Sequence, residues 1–175
     1  MNRYNQAMRS LFRFLILWFA VLAQAHAAPG DAFFDTSLGD YAAELKTARQ
    51  QGKQGILLVV EAEGCPYCKR MREQILSRPE VQQHFRQHFN AFSLDMNGSV
   101  TVTSPDGKEQ TEKALVRMLK VRGTPSFLFF APDGREMARY TGATRDTETF
   151  TALGQFVAEG HWQTSSFDRF HHKSR

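Results

Sequence analysis

At 175 residues, with 42% hydrophobic and 23% charged side chains, the chain is long enough to bury a core and ordinary for one folded domain. Its net charge of +4 comes from 22 basic and 18 acidic residues, and no stripe of lysine and arginine interleaved with aromatics suits it to nucleic acid.

Part of that charge belongs to the first 27 residues. Arg3, Arg9 and Arg13 stand there without an acidic residue, ahead of the apolar run Phe14 to Ala23 and a small-x-small pattern at Ala25 and Ala27. This is the pattern of a secretory signal cleaved after Ala27. The apolar run is about half the length of roughly 20 residues that a membrane span needs. After cleavage the 22 basic residues become 19 against an unchanged 18 acidic ones. The chain then divides into a leader (1–27), a mature N-terminal segment (28–36), a folded domain (37–160) and a polar tail (161–175).

In chain order, Ser37 with Asp40 three residues on predicts a capped helix over 38–51, with Leu38, Tyr41, Ala42, Leu45 and Ala48 on its buried face. Ile56 to Ala62 is a continuous apolar run rich in branched residues, the signature of a buried central strand. The sequence CPYC follows at 65–68. Met71, Ile75 and Leu76 continue at helical spacing up to Pro79, where a helix should bend or end. Ser77 and Glu80 offer a capping box for its restart, with Val81, Phe85 and Phe89 inward.

Phe92, Leu94 and Met96 alternate as a second strand, and residues 98–111 read as a hairpin-like insertion around Pro105, Asp106 and Gly107. A helix over 112–120 should bury Leu115, Met118 and Leu119. RGTPSFLFF then leads into a strand, the turn at 132–134 returns it as an antiparallel partner, and a last helix over 147–159 turns Phe150, Leu153, Phe156 and Val157 inward. The order α-β-α-β-α-β-β-α predicts an α/β fold, a mixed sheet covered by helices.

Cys65 and Cys68 are the only cysteines. A bridge between them closes almost the smallest loop available and would be a poor structural staple. A structural zinc site wants four ligands, and covalent haem attachment wants a histidine where Lys69 stands, so neither metal nor haem is expected. Redox chemistry fits the spacing. At a strand-to-helix junction Cys65 meets the unpaired amides of the helix start, Cys68 follows one turn on, and Pro66 suits the first helical position. A Cu(I) carrier using the same thiols with His161, His171 and His172 is the alternative from another class of function.

The CPYC motif after an apolar strand, Gly123-Thr124-Pro125 before a later strand, and the order of elements resemble the thioredoxin superfamily over about residues 36 to 160. GCPYCKRM, the insertion TSPDGKEQTEKAL, VRGTPSFLFF and APDGRE are most similar to exported SoxW-type thioredoxins. The resemblance implies a thioredoxin-like fold, a nucleophilic Cys65, a resolving Cys68, and substrate contact through Pro66, Tyr67, Thr124 and a cis-Pro125. It also implies a thiol-disulfide oxidoreductase that reduces disulfide-bearing exported proteins and is recharged by a membrane thiol donor; the leader points to the periplasm, no cofactor is expected, and with no dimerisation domain ahead of the fold a monomer is expected. An oxidase or isomerase is the nearer variant.

One departure bears on mechanism. Val59 stands where cytoplasmic thioredoxins carry a buried aspartate, and Glu61 replaces a tryptophan. Residues 59 and 61 share a strand face, so Glu61 is a candidate proton acceptor for Cys68; the alternative is a carboxylate at a solvated strand end.

Overall fold

The computed structural model describes residues 28–173; the expected leader lies outside them. The central sheet has four strands in the order β2-β1-β5-β6: β1 (Gly55–Glu61), β2 (Phe89–Asp95), β5 (Ser126–Phe130) and β6 (Glu136–Thr141). β2 lies parallel to β1, with Glu61 opposite Asp95, while β5 is antiparallel to both β1 and β6. β3 (Thr101–Thr103) and β4 (Glu109–Thr111) form the separate hairpin expected from the insertion. The α/β architecture agrees with the sequence pattern.

All seven residues of β1 are buried, which is why its sequence carries no alternation. Leu57 and Val59 face one layer with Phe85, Phe89, Phe127 and Phe150. Ile56, Leu58 and Val60 face the other, with Tyr41, Leu45, Phe92 and Leu115. The strand period therefore puts Glu61 on the first of these faces.

Helix α1 (Tyr41–Gln50) starts three residues later than the spacing predicts. Its cap is Asp40, whose carboxylate accepts from the Ala43 amide at 2.9 Å, while the Ser37 hydroxyl accepts from Gly39 two residues on. Gly39 takes φ +86° there, and Leu38 is turned out to 99% exposure. The expectation of a buried Leu38 fails because the turn, not the helix, sets its direction.

Helix α2 (Pro66–Met71) runs into a wider π turn at Arg72–Leu76. Ser77 does not cap the next helix, α3 (Pro79–His88); its hydroxyl donates back to the Glu73 carbonyl at 2.7 Å. Pro79 itself opens α3, where its missing amide costs nothing. Phe89 belongs to the following strand rather than to α3. In α4 (Glu112–Met118) Leu115 and Val116 are buried, and Met118, expected inside, is 41% exposed.

After α5 (Thr147–Ala158) the chain makes a 3-10 turn at His161–Gln163 and a further helix, α6 (Phe167–Lys173). Phe167 and Phe170 pack on Phe156, with ring centroids 5.7 and 5.4 Å away. The segment read as a polar tail is thus attached by its aromatics. At the opposite sheet edge, Asp35 bonds to Ala91 of β2 twice, donating its amide to the Ala91 carbonyl at 2.7 Å and accepting the Ala91 amide on its carboxylate at 2.9 Å.

Candidate active site

The turn after β1 delivers the two cysteines to the start of α2. Cys65 is the cap residue and half-buried; its sulfur accepts from the Cys68 amide at 3.1 Å, and Pro66 occupies the first helical position. Cys68 is 5% exposed, one helical turn below. The two are joined in a disulfide, with Cα atoms 5.3 Å apart. An outer and an inner sulfur are the outcome of this placement.

Thr124 and Pro125 come to the same place from the start of β5, joined by a cis peptide bond. The Thr124 hydroxyl donates to Cys65 Sγ at 3.3 Å. Tyr67 projects into solvent at 61% exposure, beside the exposed Pro66. Thus Cys65 and Thr124, both chosen from sequence, meet at the end of the sheet, with Pro66 and Tyr67 exposed beside Cys65 and Pro125 buried next to Thr124.

Glu61 is not the carboxylate at a solvated strand end that the sequence left open. Its side chain is 11% exposed and ion-paired with Arg72, 2.5 Å from Nη2 to Oε2. Arg72 Nε adds contacts at 2.9 and 3.1 Å, and the Ser93 hydroxyl donates to Oε2 at 2.9 Å. Glu61 hydrogen bonding, foremost among several causes, raises the Arg72 guanidinium above its ordinary value, so it stays charged. The same guanidinium reaches Asp31 at 2.6 Å and lies over the Phe34 ring, 4.5 Å from its centroid. Sequence reasoning missed Arg72 and Asp31 as site residues. Arg72 lies four residues after Cys68, hence on the same helix side, and that spacing was a usable signal; nothing in the sequence pointed to Asp31.

A cavity of about 640 Å³ opens on this side of the disulfide, lined by Cys65, Cys68, Glu61, Arg72 and Ser93, with Ala28 and Pro29 also on its wall. The other flank of α2 is tied down by Arg70, whose Nη2 donates to the Thr144 carbonyl. Thr144 is fully buried, and its hydroxyl donates to the Asp146 carbonyl at 3.2 Å.

The copper alternative does not assemble. Among the described residues no group of three or more histidine, cysteine or acidic side chains is placed to hold a metal. His161 meets Glu159 at 3.0 Å and His171 stacks on Phe167 at 5.5 Å, both on the α5 and α6 side.

Comparison with known proteins agrees with this geometry. The family described as the thioredoxin-like domain matches residues 41–158. The chain is 36% identical over 100 residues to the thiol:disulfide interchange protein DsbD of Pseudomonas fluorescens, covering 56% of this chain but 15% of that protein. It is 26% identical over 99 residues to the disulfide bond reductase DsbH of Chlamydia pneumoniae, covering 57% of this chain and 58% of that one. The chain therefore spans only part of the length of these relatives. Among solved structures, a thioredoxin-fold protein from Helicobacter pylori superposes with TM-score 0.61 at 19% identity, over 84% of this chain and 89% of that one. A thioredoxin from Thermus thermophilus does so with TM-score 0.54 at 26% identity, over 72% and 90%.

Proposed function

The chain belongs to the thioredoxin-like domain family, and from that premise we propose that it is an exported thiol-disulfide oxidoreductase that reduces disulfides of periplasmic client proteins. The observation that carries the reading is the half-exposed Cys65, held against the Thr124 hydroxyl, with its partner Cys68 buried one turn below. The resemblance to a disulfide bond reductase supports the reducing direction, and the resemblance to thiol:disulfide interchange proteins supports the thiol-disulfide chemistry.

The Cys65 thiolate attacks one sulfur of a client disulfide, forming a mixed disulfide and releasing the first client thiolate. The amide of Cys68 and the hydroxyl of Thr124 both point at Cys65 Sγ, and such donors favour the charged sulfur. Pro66, Tyr67, Thr124 and Pro125 form the surface on which the client backbone rests. Glu61 takes the Cys68 proton across the cavity that both side chains line. The Cys68 thiolate then attacks Cys65 Sγ, the bond between Cys65 and the client breaks, and the second client thiolate leaves. Two electrons pass to the client, and a membrane thiol donor restores the dithiol.

Three measurements test this. Reduced protein should catalyse insulin reduction, and Cys68→Ser expressed in the periplasm should accumulate mixed disulfides on Cys65. Alkylation of the reduced protein should modify Cys65 well before Cys68. Equal alkylation rates, or client oxidation in place of reduction, would overturn the assignment.

A further inference from the structure

Arg72 serves two carboxylates, and only one of them faces the cysteines. Its Nε and Nη2 hold Glu61, whereas its Nη1 holds Asp31 Oδ1 at 2.6 Å. The second oxygen of Asp31 accepts the Ala28 amide at 3.1 Å. Asp31 sits in a 3-10 turn, Asp31–Phe33, that is fixed from both ends. On one side Gly30, at φ +81°, presses so closely on the π turn after α2 that a Cβ there would lie 2.6 Å from the Arg72 carbonyl oxygen. On the other, Phe33 is buried in the core and Arg86 donates to the Ala32 carbonyl.

We propose that Asp31 is a positioning residue for the resolving step: it shares the Arg72 guanidinium with Glu61, so that Glu61 can take the Cys68 proton without leaving Arg72 unpaired. The inference rests on the oxidoreductase reading and on Glu61 as proton acceptor, and adds the segment before the folded domain to the working site. The reasoning is a charge balance. Arg72 is 26% exposed in its side chain, and stranding a charge that is largely withdrawn from water is costly. With Glu61 alone as partner, each proton it accepted would strand that charge. With Asp31 present, a neutral pair survives protonation, and the negative charge of Asp31 favours the arriving proton.

In the step itself the proton moves from Cys68 Sγ to a Glu61 carboxylate oxygen. The thiolate so formed makes the bond to Cys65 Sγ, and the client sulfur departs with the electron pair and is protonated by solvent. The other charged groups on the cavity are Glu63, Lys69, Glu73 and Asp95, with Lys69 paired to Glu73 at 3.9 Å; they are common to every variant below.

Single-turnover kinetics with a fluorogenic peptide disulfide, on protein produced from the complete coding sequence, separates attack by Cys65 from release by Cys68. The readout is the release-to-attack ratio across pH. Glu61→Gln should lower it by about 100-fold, the smaller end of general-base effects, and flatten its pH profile. Asp31→Asn should lower it about fivefold, the size of one partly exposed ion pair, and move the acid limb to lower pH, because Arg72 then bears on Glu61 alone. Arg72→Gln should move that limb the opposite way, to higher pH, and Arg72→Lys should restore it. A purely structural array would shift Asp31→Asn and Arg72→Gln in the same direction, and that result overturns the proposal. So does an unchanged Asp31→Asn beside a slow Glu61→Gln. An unchanged Glu61→Gln removes the proton acceptor itself, and absence of attack by the unmodified protein removes the oxidoreductase reading; both take this inference with them.

Discussion

Arg70, on the helix that carries both cysteines, donates to the backbone carbonyl of Thr144, 74 residues away. The loop after β6 is thereby fastened to α2 by one side chain. Its Nε is buried without a hydrogen-bond partner, so the guanidinium is held at some cost.

Arg70→Met should therefore loosen that loop. The expected loss of stability is about 1 to 2 kcal/mol, that of one charge-assisted hydrogen bond offset by removal of the unpartnered Nε. Amide hydrogen exchange should rise at residues 143–146 and not in β1. Unchanged exchange there would show that the buried Thr144 holds the loop by itself.

Thr124→Val keeps the shape of the residue and deletes the hydroxyl that reaches Cys65 Sγ. The reduced thiolate loses a donor, so Cys65 should be alkylated more slowly at neutral pH and the disulfide should become harder to reduce. A hydrogen bond to a charged group is worth about 1.5 kcal/mol at the lower end, or roughly 30 mV for a two-electron couple. Equilibration with glutathione measures it, and a potential displaced upward would contradict the role given to Thr124.

His84 sets an acid limit on stability. Its ring lies between α3 and α5, where a Cβ on Gly154 would come within 2.8 Å of Nε2, and that nitrogen has no partner. Burial first, and then the neighbouring His88, lower its proton affinity below the ordinary histidine value, with Glu159 opposing. As pH falls through about 6.5, the unfolded chain takes up this proton before the folded one. Stability is thus fully present above about 6.5 and declines below it until the lower folded value is passed. Urea midpoints between pH 7.5 and 5 should show a fall that His84→Gln reduces.

Phe150 is the hinge of the aromatic layer, stacked on Phe85 at 4.5 Å and tilted against Phe127 at 4.9 Å and Phe33 at 6.1 Å. Phe150→Ala should cost about 3 to 5 kcal/mol. Chemical denaturation measures it, and because Phe33 belongs to the turn that carries Asp31, the same variant should also loosen the cavity wall.

Periodicity located the sheet because β1 and β5 are buried on both faces and leave unbroken apolar runs. It misplaced Leu38 and Met118 because a turn and a short helix decide the direction of single side chains. The motif brought Cys65, Cys68, Thr124 and Pro125 into view. Glu61 was read as an acid on the same strand face as Val59, but its partners Arg72 and Ser93, and the Asp31 that Arg72 also holds, come from three other segments, and apart from the four-residue step from Cys68 to Arg72 their pairing leaves no periodic trace. Helix α6 escaped notice because its two anchoring rings, Phe167 and Phe170, stand among charged and histidine residues.

The pair of hydrogen bonds between Asp35 and Ala91 bears on how the protein meets copies of itself. An outer strand offers free amides and carbonyls to any extended chain that passes, and sheet proteins need some means of refusing it. At the middle of β2 both groups of Ala91 are already engaged by one residue of the same molecule. A second chain adding itself there would have to displace Asp35, and with it the connection that leads to the Asp31 turn. On the far edge, β6, Arg139 is paired with Glu136 at 2.5 Å and the register slips between Phe129 and Phe130. Charge guards one margin of the sheet and the incoming chain itself guards the other, so neither edge is left as an open template for a second copy.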